Sequence, residues 1–241
     1  MAAAQYKVFA KAGPVGTGVT NSNYVGVHGI AKSKSPNHPT VIANELVCSR
    51  LALALLLPVP PGFLIKHDDG EIQFASLDFN LAGQSLPPAN GAAIVASHPQ
   101  LAWGIILFDM WVLNDDRHRG NISFDTSTKS VQIFDHSHTL FAKPNWQGLS
   151  ALPAIGVPGR HCLAAEVTTT DGLDEWQANI SAMPERYVRG VIEDVAGADY
   201  GVDAATTGAM ASFMIARQTQ LSTLARAHHG VFPKMHPAAW S

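Results

Sequence analysis

The chain has 241 residues, with 16 Lys and Arg against 19 Asp and Glu and a formal charge of −3. That length allows one sizeable core or two lobes around a cleft, and the near-balanced charge supplies no positive field for a nucleic-acid backbone, so no direct nucleic-acid partner is expected. Two cysteines, Cys48 and Cys162, do not make a disulfide framework, the first residues lack the order of a signal peptide, and the most apolar run, 101–113, is too short for a bilayer. The expectation is a cytoplasmic protein without a membrane partner.

In residues 5–37, Gly13, Gly16, Gly18, Gly26 and Gly29 interrupt short β-type runs such as 24–31, a pattern of strands and turns. Gly16 and Gly18, in Gly13-Pro-Val-Gly-Thr-Gly18, are candidates for laying backbone N–H groups on phosphates, although an ordinary turn reads the same way. The spacing predicts a helix over 40–57, with Thr40 as cap and Pro58, Pro60 and Pro61 as stop. A hairpin follows over 63–74 around Asp68-Asp69-Gly70, with Ile65 and Ile72 inward. Residues 77–88 show no period.

A second helix is predicted from Pro99 to Leu113, apolar on nearly all sides and therefore in the core. Residues 122–124 and 131–134 form a hairpin across the turn-rich stretch 125–130, and 142–172 reads as a long irregular segment. Beyond it the chain is helical: Pro184 starts one helix, and Asp203 caps a long one carrying Met210, Phe213, Met214, Arg217, Leu221 and Leu224. The fold class is α+β, a β-rich lobe over 1–76 followed by a mainly helical lobe over 77–241.

The chemistry concentrates in Asn114-Asp-Asp-Arg-His-Arg-Gly-Asn121 and in Asp135. A buried apolar helix that delivers the chain into polar groups costs stability unless those groups have partners or a ligand. Asn121 precedes the first hairpin strand and Asp135 follows the second, so antiparallel pairing sets two oxygen ligands side by side. Such ligands suit Mg²⁺ completed by nucleotide phosphates, and Asp116 stands at the same mouth as a candidate base for a hydroxyl. Glu45 shares a helical face with Cys48, Ala52 and Leu55 and needs a cation; Lys32 is the nearest candidate, with Lys34 as the alternative.

Asp116-(four residues)-Asn121 with Ile133-Phe134-Asp135 has the spacing of a kinase catalytic loop and its second metal-binding aspartate. Asn114 to Asn121 more closely resembles the Asn-x-Asp-x-His-x-x-Asn loop of HipA-like kinases, and Asp116-Arg117-His118 is similar to the Asp-Arg-His of phosphatidylinositol-type kinases. Asn44-Glu45-Leu46, Arg50-Leu51-Ala52 and Val59-Pro60 also resemble HipA-like sequences. The resemblance implies a two-lobed, ATP- and Mg²⁺-dependent kinase: Asp116 catalytic, Asn121 and Asp135 on the metal, His118 supporting the loop, and Lys32 with Glu45 on the nucleotide phosphates. It implies a Ser/Thr hydroxyl of a protein as acceptor, this chain's own included, with a small-molecule hydroxyl still open, and an antitoxin-type protein partner.

Asp135-His136-Ser137 departs from the Asp-Phe-Gly of ordinary protein kinases. A nucleotide-binding module without turnover therefore stands as an alternative. A metal hydrolase using His136, His138 and His161 stands as another, since His136 and His138 face the same way on an extended segment.

Overall fold

The computed structural model describes residues 8–16, 22–79, 88–143, 145–146 and 161–240. Strands β1 (Val8–Pro14) and β2 (Asn23–Val27) pair antiparallel as a separate ribbon. The β-type run at 24–31 is not one strand: it breaks at His28, and its second half becomes β3 (Gly29–Lys32) in another sheet. That sheet has the antiparallel order β3-β5-β4, with β4 at Gly62–Lys66 and β5 at Ile72–Leu77.

The β4–β5 turn lies where Asp68-Asp69-Gly70 predicts it, because Gly70 takes φ 89° and the Asp69 carboxylate accepts from Glu71 N at 2.9 Å. The inward residues differ from expectation. Phe74 and Ala75 are buried, at 4% and 1% exposure, whereas Ile65 and Ile72 are half-buried.

Helix α1 (Val41–Ala54) connects β3 to β4. It stops short of residue 57 because Leu56 turns left-handed at φ 57°, and Thr40 stands at its N-cap without a side-chain cap bond. A helix with no period in sequence, α2 (Gly91–Ser97), is capped by Asn90, which accepts from Ala93 N at 3.3 Å.

Helix α3 (Pro99–Trp111) is buried from Ala102 to its end. Each large apolar side chain so enclosed contributes about 1.5–3 kcal/mol, so α3 and α1 together make the spine of the core. Glycine at 104 lets Trp176 approach: a Cβ there would lie 2.3 Å from the indole.

The predicted second hairpin forms from β6 (Ile122–Phe124) and β7 (Val131–Ile133), and Ile133 N donates to Pro58 O at 2.8 Å, joining it to the end of α1. Among the described residues four α-helices follow: α4 (Leu173–Ser181), α5 (Glu185–Glu193), α6 (Ala204–Arg217) and α7 (Leu221–Ala227).

Pro184 stands at the N-cap of α5, and Asp203 caps α6 by accepting from Thr206 N at 2.7 Å. The long helix expected after Asp203 is two helices. Gln218 ends α6, its side-chain amide drawn to the carbonyls of Ile180 (2.6 Å) and Met183 (2.7 Å).

Both cysteines are buried and unbridged, and burial pushes both thiols up, Cys162 to about 11. Among the described residues no helix is long and apolar enough to cross a membrane.

Candidate active site

At the end of α3, Leu113 takes φ 58° and turns the chain out of the helix. The following loop is built on Asp109, a carboxylate with no exposed surface in the last turn of α3. Asn114 donates to Asp109 Oδ1 at 2.8 Å and accepts from Asp116 N at 3.0 Å.

Arg117, fully buried, donates Nε to Asp109 Oδ2 at 2.8 Å and Nη2 to Oδ1 at 2.9 Å. The same guanidinium reaches the carbonyls of Asn121 and Phe134, both at 2.7 Å, and Nε2 of His136 at 2.9 Å. His161 Nε2 lies 3.2 Å from Asp109 Oδ2. Burial alone would raise the Asp109 pKa; Arg117 and His161 outweigh it and hold the carboxyl well below its usual range. An uncompensated charge at this depth would not be tolerated, so the pair is what lets a polar loop leave a dry core.

Arg117 thereby fixes the open end of the hairpin, where Phe134 N donates to Asn121 O at 3.2 Å. The Asn121 amide nitrogen donates to Asp116 O at 2.8 Å and approaches Asp116 Oδ2 at 3.4 Å, which identifies its Oδ1 as the atom for a cation. Asp135, at φ 60°, receives Lys32 Nζ at 2.8 Å and Ser137 Oγ at 2.8 Å, both on Oδ1.

Lys32 also donates to Glu45 Oε1 at 2.6 Å, and His136 N donates to that oxygen at 2.9 Å. Burial would lower the Lys32 pKa and raise those of Glu45 and Asp135. Opposing contacts prevail: the charges of Glu45 and Asp135 hold the lysine above its ordinary value, His136 and then Lys32 hold the Glu45 carboxyl below its own, and Lys32 with Ser137 does the same for Asp135.

Two adjoining cavities share Lys32 and Asp135. The deeper, of about 460 Å³, is walled by apolar groups including Ile30, Val59, Phe74, Leu77 and Phe134, with Glu45 at its polar end. The outer one, of about 350 Å³, brings Asp116, His118 and Asn121 to the same space as Asp135. An apolar slot ending in a cation and opening onto a mouth with two carboxylates suits a ligand with an apolar body and an anionic tail.

The structure therefore gathers Lys32, Glu45, Asp116, His118, Asn121 and Asp135 in one cleft. Lys34 is not part of it, since its Nζ donates to the Ala198 carbonyl at 2.8 Å. His118 is half-exposed, with Nδ1 accepting from Gly120 N at 2.9 Å and Nε2 3.9 Å from Asp116 Oδ2.

Gly16 sits in the β1–β2 connection, and neither cavity includes it; Gly18 lies outside the described residues. The histidines are not one site: the left-handed turn at Asp135 sends His136 into the core and His138 outward against His38. Among the described residues no three of His, Cys, Asp and Glu gather to hold a metal ion. Arg117, Asp109 and Ser137 escaped the sequence reading. Asp109 carried a signal: a lone carboxylate in the run 101–113 requires a cation.

A family model of HipA-like kinases matches residues 26–147, about half of the chain. Among solved structures, that of a Helicobacter pylori proinflammatory kinase, CtkA, is similar with a TM-score of 0.56 and 16% identity, over 91% of this chain and 94% of that one. No curated protein matches. At that identity the likeness shows a shared kinase fold, which agrees with the small antiparallel sheets, the core helices and the cleft described above. The matched residues take in the whole constellation from Lys32 to Asp135, and the chain belongs to the HipA-like kinase family.

Proposed function

We propose that the chain is a Mg²⁺-dependent phosphotransferase that moves the terminal phosphoryl group of ATP to a Ser or Thr hydroxyl of a protein, with the nucleotide between a β-rich lobe ending near residue 77 and the helical remainder. One observation carries this: Lys32 Nζ is bonded at once to Glu45 and to Asp135, 103 residues away in sequence, at the polar end of an apolar slot.

The donor set fits Mg²⁺. Asn121 Oδ1 and Asp135 Oδ2 are hard oxygens lining one cavity, and this ion is ordinarily held by one or two protein groups with phosphates and water around the rest. Asn121 and Asp135 would hold the ion, which would supply charge neutralisation at the phosphate oxygens.

Lys32, kept protonated and aimed by Glu45, pairs with those oxygens. Asp116 takes the proton of the acceptor hydroxyl as its oxygen bonds to phosphorus and the bond to the ADP oxygen breaks. Asn114 and Arg117 hold the loop so that this carboxylate stays at the mouth. Reuse of rigid groups is what phosphoryl transfer requires, because positioning and charge stabilisation supply most of its acceleration.

The test is ADP release from Mg²⁺–ATP by the purified protein, with phosphate traced to protein or to added hydroxyl compounds. Asp116→Asn should abolish release while nucleotide still binds. Binding without any turnover in the unaltered protein would replace this reading with that of a nucleotide-binding module. Retained zinc or iron without a nucleotide-dependent thermal shift would replace it with that of a hydrolase.

A further inference from the structure

In Asp135-His136-Ser137 an imidazole stands where ordinary protein kinases carry phenylalanine. It is 3% exposed and edge-on to Phe108 at 5.9 Å between ring centres. Its ring nitrogens nevertheless lie between two charged groups.

Arg117 has only donors, so its 2.9 Å contact makes Nε2 of His136 the acceptor and leaves the ring proton on Nδ1, 3.8 Å from Glu45 Oε2. The His136 backbone N–H meets the other Glu45 oxygen at 2.9 Å. Arg117 meanwhile holds the carbonyls of Asn121 and Phe134, the latter next to Asp135. A continuous buried chain of polar contacts thus runs from Asp109 through Arg117 and His136 to Glu45 and Lys32.

We propose that His136 is a positioning residue that ties the Lys32–Glu45 pair to the Asn121–Asp135 hairpin, so that phosphate binding and metal binding reinforce each other. The proposal rests on the phosphotransferase reading of the cleft. Without the imidazole, Lys32 still meets Glu45 and Asp135 and Arg117 still grips Asp109, but the ring that stands between Glu45 and Arg117, the holder of the hairpin carbonyls, is gone.

The test measures binding of a non-hydrolysable ATP analogue by calorimetry, with and without Mg²⁺. In folded His136→Phe, the enhancement of affinity given by Mg²⁺ should fall by about tenfold, the usual scale for losing an outer-shell partner. His136→Asn is too short to reach Arg117 and carries the same expectation should the Phe variant not fold. His136→Gln, whose amide oxygen accepts from Arg117, should recover most of the enhancement.

An undiminished Mg²⁺ enhancement in the Phe or Asn variant overturns the brace, as does a loss that Gln fails to restore. Absence of turnover in the unaltered protein with this binding pattern intact defeats the phosphotransfer reading alone. An unaltered protein that binds no Mg²⁺–nucleotide defeats both.

Discussion

Two carboxylates sit on core helices of this molecule, Glu45 on α1 and Asp109 on α3, each almost without exposed surface and each bonded to one cation. Their partners differ. Arg117 is sealed, at 0% side-chain exposure, whereas Lys32 retains 25% and lines both cavities. A buried ion pair therefore marks a ligand site only where one member faces open space; the closed pair is scaffold. Residue type follows the division, since a forked guanidinium suits a fixed set of acceptors and a single ammonium suits exchange of one acceptor for a phosphate.

The sharpest way to break this comparison is to remove each cation. Arg117→Met leaves Asp109 buried without its guanidinium, and it should cost about 3–5 kcal/mol, read as a melting temperature lowered by roughly 6–20 °C. Lys32→Met should leave the melting temperature within a few degrees yet lower turnover by about 10²–10³-fold, because Asp135 stays half-exposed and Glu45 keeps its bonds from His136 N and Ser137. The reverse pattern would mean that the roles are misassigned.

Acid titration sharpens the same contrast. Asp109 is held below the ordinary carboxylate range, so its contribution is fully present above the unfolded-chain value of about 4 and is lost as pH falls toward its folded value. Urea midpoints should drop on acidification in the unaltered protein. In Arg117→Met the buried carboxyl has lost its cation, so protonation relieves it and the deficit of the variant should shrink as pH falls.

Gly104→Ala tests the core without touching either pair. Its Cβ would meet the Trp176 indole at 2.3 Å, for an expected loss of about 1–3 kcal/mol in denaturant melts. Smallest of all, Lys34→Ala removes an exposed bond to Ala198 and should change stability by no more than about 0.5 kcal/mol, with turnover intact.

Much of the site was legible because it rests on local signals. Asn121 and Asp135 flank a hairpin whose strands and turn are each written in consecutive residues, and pairing alone brings its ends together. Glu45 announced its need for a cation by sitting on an apolar face. The brace behind these residues was not legible, since Arg117 reaches Asp109, Asn121, Phe134 and His136 through contacts whose partners no spacing rule connects.

Backbone turns hid other features: φ of 60° at Asp135 separates two histidines that an extended strand would align, and Leu56 ends α1 early. The break between α6 and α7 depends on Gln218 being captured by carbonyls in the last turn of α4 and just beyond it, a tertiary event that overrides helical periodicity. Asn90 capping of α2 was a local signal passed over.

The two thiols offer a way to watch the molecule move. Cys48 lies inside α1 and Cys162 follows His161 onto the 114–121 loop, where its N–H bonds to Arg117 O at 2.9 Å, and both are enclosed and protonated at neutral pH. Only transient opening can expose them to an alkylating reagent. Their separate labelling rates would time the breathing of the core helix and of the loop anchor, with no probe added to the chain.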